Sequence, residues 1–187
     1  MARRLVGLLL LLASCSAHQV QLTVQAPATF SSEPGGYEDV TVIRVIDGDT
    51  VEVRIEAVTP GPGAGFGEVG EEHRVRLIGI DTPETVKPAS PVECFGKEAS
   101  AAAEALLGGQ QVRLVKDVEE VDGFERLLRY VYIGDELANA RLVANGYAHA
   151  YTYPPNVRHS QLFVQLEHDA RVGNRGLWSA DTCNGED

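Results

Sequence analysis

The chain has 187 residues and a formal net charge of −11, with 27 Asp and Glu residues against 16 Lys and Arg residues. This acidic balance argues against a general nucleic-acid coat protein, whose footprint is a basic patch. It permits an enzyme that meets a polyanion through a divalent cation and a few arginines. The length fits one globular domain with short extensions.

The first 14 residues predict a signal peptide for export. Arg3 and Arg4 precede an apolar run over residues 5–12, far shorter than the ~20 residues that a membrane-spanning helix needs. Residues 12–15, Leu-Ala-Ser-Cys, resemble a bacterial lipobox, so Cys15 is the candidate for lipidation and for anchoring the mature chain to a membrane. The alternative is an ordinary signal peptide that contains a cysteine. Both predict an exported protein, either an envelope lipoprotein or a secreted one.

Export bears on the three cysteines, because an oxidising compartment favours paired thiols. With Cys15 lipidated, Cys94 and Cys183 remain as a candidate disulfide. In the chain-entropy model, closing a loop of this size contributes about 4 to 5 kcal/mol to stability. The bridge would join the middle of the folded domain to its C-terminal tail.

The composition divides the rest of the chain into three parts. Residues 15–38 are rich in Ser, Pro, Gly and Gln, which predicts a tether between a membrane anchor and a folded domain. Residues 39–180 form the predicted domain, and residues 181–187 are its C-terminal tail.

The elements of this domain can be taken in chain order. Two alternating, β-branched runs at 41–46 and 50–55 flank Asp47-Gly48-Asp49, a strong hairpin signal. A Gly- and Pro-rich loop follows at 56–72 and a third strand at 73–80. The later segments predict a helix at 96–107, strands at 111–116 and 127–133, and helices at 136–146 and 159–172. This order predicts an α+β fold, a five-stranded OB-type Greek-key β-barrel with three helices.

Charged residues beside the strands are the candidates for chemistry. Taken singly, each has a plain explanation: IDGDT is a hairpin turn, DTPE is an Asx-type turn, and the arginines make surface ion pairs. Taken together, they supply oxygen ligands for Ca²⁺, a glutamate that can take a proton from water, and a cationic clamp for a phosphate. Hydrolysis of a phosphodiester asks for these parts. The candidates are Asp47, Asp49, Arg76, Asp81, Glu84 and Arg126.

Six segments in order carry a specific resemblance. IDGDTVEV, RLIGIDTPET, VECFGKEAS, ERLLRYVYI, AYTYPPN and GLWS are similar to segments of the staphylococcal nuclease (thermonuclease) family, and the match covers residues 40–180. The resemblance implies a five-stranded OB-type barrel with three helices, in agreement with the order of the predicted elements. It also implies hydrolysis of DNA and RNA at the 5′ P–O bond, leaving 3′-phosphate ends. We expect the protein to be a monomer.

The resemblance implies a role for each candidate. Asp49 and Asp81 match calcium carboxylates, Thr82 matches the residue that gives a backbone carbonyl, and Asp47 falls on an acidic position close to the ion. Glu84 matches the glutamate usually assigned as general base. Arg76 and Arg126 match phosphate-binding arginines, and Tyr151 and Tyr153 match tyrosines near the nucleotide. For the tyrosines, packing as half-exposed aromatic side chains is an equal alternative.

The chain departs from the family pattern just before Arg126. Glu125 stands where the family more often has glycine, and we expect it to pair with the arginine and weaken its hold on phosphate. Phe124 stands where a tyrosine is more common, and the missing hydroxyl predicts a shifted preference for an end or a nucleotide. The Gly-rich stretch 60–70 predicts a flexible hairpin tip that can border the substrate.

Two other functions fit parts of the sequence. One is a catalytically inactive nuclease-like module that binds nucleic acid or a partner at the cell envelope, although the acidic and arginine candidates are all present. The other is a calcium-binding or oligosaccharide-binding lipoprotein, which gives Arg76 and Arg126 no task. A zinc enzyme is disfavoured because the five histidines show no HExxH-like spacing and the chain has no CxxC.

Overall fold

The computed structural model describes residues 28–85 and 93–185. The predicted signal peptide, Cys15 and the first part of the tether lie outside these residues. Within them the strands are β1 (Tyr37–Asp47), β2 (Thr50–Thr59), β3 (Glu72–Leu77), β4 (Ile80–Asp81), β5 (Gln111–Val115), β6 (Leu127–Ile133), β7 (Glu136–Leu137) and β8 (His149–Ala150). The helices are α1 (Gly96–Leu107), α2 (Ala138–Ala144) and α3 (Ser160–Val172), with 3₁₀ turns at Phe30–Ser32 and Gly176–Trp178.

Five of these strands close into a barrel. They pair in the order β3, β2, β1, β5, β6 through antiparallel ladders, and a parallel pairing of β3 with β6 closes the ring. The long strand β1 pairs with β2 along one edge and with β5 along the other, and register shifts in the β1–β2 ladder bend it. The predicted five-stranded OB-type barrel with three helices is therefore confirmed.

The alternation read from the sequence fills the barrel. On β1 and β2 every second side chain points inward, so Val40, Val42, Val51, Val53 and Ile55 are buried. Strand β6 is buried along nearly its whole length, because Tyr130 packs against His159 and Phe163 and Tyr132 packs against Phe30. The barrel and the three helices thus share one hydrophobic core.

The predicted third strand is too long at its C-terminal end. Regular strand stops at Leu77, and the chain turns at Gly79, which has a φ of +83°. A Cβ at Gly79 would overlap the ring of Phe163, so glycine is required by both backbone conformation and space. The chain then resumes as β4, which pairs with β8 outside the barrel. This break carries Asp81 away from β3.

The fold begins earlier than Asp39, which corrects the C-terminal part of the predicted tether. Thr29 forms an isolated bridge with Glu136, and Phe30 packs edge-on against the rings of Tyr37 and Tyr132. Glu38 is fully buried. Residues 28–38 therefore belong to the packed structure.

The Gly-rich stretch is not a flexible hairpin tip. Residues 56–59 continue β2, and the chain beyond them folds back over the barrel. Gly63 N–H donates to Gly35 O at 3.1 Å, and Gly65 N–H donates to Glu38 Oε1 at 2.9 Å. Lys116 N–H donates to Gly63 O at 2.7 Å, so this stretch is tied to both β1 and the chain after β5.

Candidate active site

The β1–β2 turn brings the first carboxylates to the site. Asp49 N–H donates to Asp47 Oδ1 at 3.2 Å, which closes the turn around Gly48. A Cβ at Gly48 would overlap the side chain of Thr82, so the turn can lie directly against the segment after β4. Thr82 N–H donates to Asp49 Oδ2 at 3.0 Å. Asp49 is 6 % exposed and faces the residues that follow β4.

Arg76 joins two of the acids. It pairs with Thr50 in the β2–β3 ladder, which places it beside the turn. Its Nη2 lies 3.0 Å from Asp49 Oδ2 and 2.6 Å from Asp81 Oδ1. Its Nη1 donates to the carbonyls of Leu77 and Ile80 at 2.7 and 2.8 Å. The guanidinium is thus fixed by the same chain reversal that displaces Asp81.

Arg126 lies immediately before β6. Its Nε and Nη2 both lie 2.7 Å from Asp122 Oδ2, and its Nη1 is 3.3 Å from Thr50 Oγ1. The expected pairing with Glu125 is therefore wrong: the carboxylate that holds Arg126 belongs to Asp122. Glu125 adopts a left-handed backbone with φ +60°. The turn Asp122–Arg126 is closed by Asp122 Oδ1, which accepts Phe124 N–H at 2.9 Å and Arg126 N–H at 3.0 Å.

Glu84 is the last residue of the proline turn at 81–84. Its main-chain N–H donates to Glu93 Oε2 at 2.7 Å, and its carbonyl accepts Glu93 N–H at 3.0 Å. Its own carboxylate accepts Thr85 N–H through Oε1 at 3.0 Å. The backbone of Glu84 is thus hydrogen-bonded to Glu93, nine residues later in the chain.

All these side chains meet at one cavity of about 170 Å³. Four carboxylates and two guanidinium groups come to it from the hairpin turn, from β3, from the segment after β3, and from the residue immediately before β6. The structure therefore brings together every residue predicted for metal, base and phosphate roles. Its lining residues are Asp47, Asp49, Arg76, Asp81, Thr82, Glu84 and Arg126.

The acids of this cavity carry perturbed pKa values. Burial raises the pKa of Asp49, and the Arg76 guanidinium and Thr82 N–H oppose that rise only in part. Burial and the neighbouring Asp49 raise the pKa of Asp47 to about 6. Two desolvated carboxylates side by side favour a cation, and all the donors on offer are oxygens.

A metal cage made of side chains alone is not part of this site. Within residues 28–85 and 93–185, no group of three His, Cys, Asp or Glu side chains is arranged to hold a metal ion. The expected calcium set is of another kind, two aspartates and one carbonyl completed by water. Oxygen donors, and four carboxylates beside two guanidinium groups, fit that set.

A larger cavity of about 570 Å³ adjoins the first and shares Arg76, Asp81 and Arg126 with it. Tyr151 and Tyr153 both line it and are 49 % and 62 % exposed, so neither is a fully packed aromatic. Phe124 lines the same cavity, and its ring lies 5.4 Å from the Arg126 guanidinium carbon. An apolar floor with exposed rings suits the face of a nucleobase.

Sequence reasoning missed three residues that support these cavities. Asp122 holds Arg126, Thr50 bonds to both Asp49 and Arg126, and buried Asn156 accepts the N–H groups of Val118 and Glu119. The spacing of Asp122 and Arg126, four residues apart, was a usable signal. No local signal marks Asn156, whose partners lie 37 and 38 residues away.

Cys94 and Cys183 form a disulfide, with their Cα atoms 5.9 Å apart. Phe95, next to Cys94, packs against the small cluster of Ala170, Leu177 and Trp178. The segment that begins α1 is thereby attached to the C-terminal end of the domain.

The chain is similar in sequence to proteins named as nucleases. Residues 74–180 match the family model described as staphylococcal nuclease homologue. The thermonuclease of Staphylococcus intermedius is 41% identical over 141 residues, covering 75% of this chain and 76% of that protein. The thermonuclease of Staphylococcus hyicus is 35% identical over 175 residues, covering 92% and 96%. Endonuclease YncB of Bacillus subtilis (strain 168) is 33% identical over 143 residues, covering 75% and 62%.

Proposed function

Because the chain belongs to the staphylococcal nuclease family and is a nuclease, we propose that it hydrolyses DNA and RNA with Ca²⁺ as its cofactor. Cleavage of the 5′ P–O bond would leave 3′-phosphate ends. The observation that carries the proposal is the cavity of about 170 Å³, in which carboxylates and arginines from four segments meet. Metal ligands, a base and a cationic clamp are then within reach of one phosphate.

Asp49, Asp81 and the backbone carbonyl of Thr82 would hold the ion, with Asp47 close by. Bound Ca²⁺ would offset the excess of carboxylates and stabilise negative charge that develops on the phosphate oxygens. The support for this assignment is the oxygen-only donor set and the burial that raises the pKa values of Asp47 and Asp49.

Glu84 is proposed to accept a proton from the attacking water. It lines the cavity together with the arginines, and its backbone is bound on both sides to Glu93. A general base has to lie within hydrogen-bond reach of the water and stay there, so this attachment supports the assignment.

The two arginines are proposed to bind the phosphate in different ways. Arg126 is oriented by Asp122, with Nη1 directed into the cavity near Thr50. Arg76 Nη2 donates to Asp81 and forms an ion pair with Asp49, and it would exchange one of these carboxylates for a phosphate oxygen. Guanidinium groups in such positions stabilise the charge of the transition state. Tyr151 and Tyr153 would then contact the adjoining base.

The test is cleavage of single-stranded DNA and RNA by the purified protein, with Ca²⁺ or with a chelator, and analysis of the product ends by mass spectrometry. We expect Ca²⁺-dependent products with 3′-phosphates. Glu84→Gln should lower kcat by about 10²- to 10⁴-fold, the usual contribution of a general base. Glu56→Gln, on the exposed outer side of β2, is the matched control and should leave kcat unchanged.

Each alternative has its own outcome. No cleavage under either condition would favour the inactive binding module. Cleavage that persists in chelator removes Ca²⁺ from the proposal, and a fully active Glu84→Gln variant removes the base.

We further propose that the chain is exported, anchored through lipid on Cys15, and monomeric. The disulfide supports export, because such bonds persist in oxidising compartments. Among the described residues, no helix is both long and apolar enough to cross a bilayer. Labelling of the parent but not of a Cys15→Ala variant by a fatty-acid probe would support the anchor, and light scattering of the mature protein measures its mass.

A further inference from the structure

Glu93 binds both main-chain polar groups of Glu84. The Glu93 carboxylate accepts the Glu84 N–H at 2.7 Å, and the Glu93 N–H donates to the Glu84 carbonyl at 3.0 Å. Both main-chain polar groups of Glu84 therefore end on the same partner, nine residues along the chain. A base placed by two hydrogen bonds moves with the residue that makes them.

Glu93 is in turn tied to the C-terminal end of the domain. The next residue, Cys94, forms the disulfide with Cys183, and Phe95 stacks on Tyr147 with ring centroids 5.7 Å apart. Glu93 O accepts Gly96 N–H at 3.1 Å at the start of α1. At Gly96 a Cβ would come within 3.0 Å of Glu84 O, so glycine lets the helix start close to the Glu84 backbone.

From these contacts we propose that Glu93 is a positioning residue for Glu84, and that the Cys94–Cys183 disulfide acts through Glu93 to hold the Glu84 carboxylate at the cavity. This rests on the proposed role of Glu84 as general base. The disulfide is then part of the catalytic geometry as well as a cross-link that stabilises the fold. A displacement of about 1 Å at a reacting group is enough to lower a rate up to about 100-fold.

Steady-state kinetics on single-stranded DNA with Ca²⁺ test the role of Glu93. Glu93→Ala should lower kcat about tenfold and leave KM within about twofold, because the hydrogen bond positions the base and does not bind substrate. Glu93→Gln keeps an oxygen that accepts the Glu84 N–H and should restore most of kcat. Equal loss in both variants, or no loss in Glu93→Ala, would overturn the assignment.

A double Cys94→Ala, Cys183→Ala variant tests the disulfide without leaving a lone thiol. It should lower kcat several-fold, and adding Glu93→Ala should lower kcat by less than in the parent, since both changes release the same residue. Full kcat in the double cysteine variant would overturn the part assigned to the disulfide.

A readout independent of activity separates this inference from the proposed base. The amide resonance of Glu84 should shift, and its hydrogen exchange should quicken, in Glu93→Ala and in the double cysteine variant, while amides of β1 and β2 stay unchanged. If Glu84→Gln is fully active but the Glu84 amide still shifts in Glu93→Ala, the assignment of Glu84 as base fails. The positioning of Glu84 by Glu93 then stands. An unresponsive Glu84 amide would overturn the attachment whatever the activity.

Discussion

Two arginines of this protein each lie between two carboxylates, and they do different things. Arg76 contacts Asp49 and Asp81 at the edge of a cavity. Arg129 contacts Glu38 and Glu120 inside the barrel wall, where the side chains of Arg129 and Glu38 are fully buried. The chemical groups are the same, so the surroundings make the difference.

Arg129, Glu38 and Glu120, the interior group, make many hydrogen bonds within the fold. Arg129 also donates from Nη1 to the carbonyls of Leu128 and Glu120 at 3.0 and 3.1 Å. Glu38 accepts Gly65 N–H, and Glu120 accepts Phe66 N–H at 3.2 Å. The buried charges of this group are thus satisfied within the fold, which fits a structural role.

The group at the cavity has more acid than base. Four carboxylates share the cavity with two arginines, one of which is already paired with Asp122, and burial raises two of the acid pKa values. In the interior, Lys116 Nζ also lies 3.3 Å from Glu120 Oε2, so two cations meet two carboxylates. The comparison teaches that an arginine between two acids is structural where the charges balance, and binds a ligand where carboxylates are in excess and solvent can enter.

The largest expected effect comes from breaking the interior group. Arg129→Met leaves the Glu38 carboxylate buried without its cation and should lower the free energy of unfolding by about 3 to 5 kcal/mol. Urea denaturation followed by circular dichroism measures this. The double variant Arg129→Met, Glu38→Leu removes the buried charge as well and should recover most of the loss. An unchanged urea midpoint in the single variant would show that the pair is not structural.

The matching change at the cavity should affect rate more than stability. Arg76→Ala should lower kcat about 10²- to 10³-fold, equal to about 2.7 to 4 kcal/mol of transition-state stabilisation. Its urea midpoint in Ca²⁺ should move less than half as far as that of Arg129→Met. If both arginine variants lose stability equally, the distinction between the two groups is wrong.

A smaller effect is expected from Gly65, which closes the interior group. A methyl group there would overlap Arg129 Nη2 and the carboxylate oxygens of Glu120 and Glu38. Gly65→Ala should therefore lower the free energy of unfolding by about 1 to 3 kcal/mol, as other overpacked sites do. Gly35→Ala is the control, because a Cβ there has no atom within 4 Å. Equal urea midpoints for the two variants would contradict this close approach.

The smallest effect concerns pH at the cavity. The folded pKa of Asp47 is about 6, above the value near 3.9 of an unfolded aspartate. Its protonation therefore favours folding below about pH 4, and that contribution is lost as the pH rises through about 6. Without Ca²⁺, Asp47→Asn should be more stable than the parent by about 1 kcal/mol at pH 7, a figure reduced for partial exposure.

Thermal unfolding of both proteins at pH 4 and pH 7 measures this difference. The two should nearly coincide at pH 4, and saturating Ca²⁺ should reduce the gap at pH 7. A gap of the same size at both pH values would mean that titration of Asp47 is not its source.

The barrel and the residues at the cavity could be predicted because their signals are local. Alternation in β1 and β2 and the Asp-Gly turn between them each depend on a few neighbouring residues. The convergence of Asp49, Arg76 and Arg126 then follows from the pairing of the strands and from the family resemblance.

The interior arginine could not be predicted in the same way. Arg129 stands in the apolar strand LLRYVYI, and its partner Glu38 is 91 residues away in a stretch whose composition indicated a tether. The stretch 60–70 looked flexible because it is rich in glycine, yet its glycines allow the backbone to approach buried charges. Such contacts depend on tertiary packing, for which composition is a poor guide.

The disulfide also has a consequence for the order of events during synthesis. Cys183 lies beyond every strand and helix of the described fold, and its partner is 89 residues earlier. The bond can therefore close only after the ribosome has made the whole domain, and a product cut short before residue 183 keeps a free thiol at Cys94. A thiol-specific label would mark such incomplete chains and leave the oxidised, finished ones unmarked at this position.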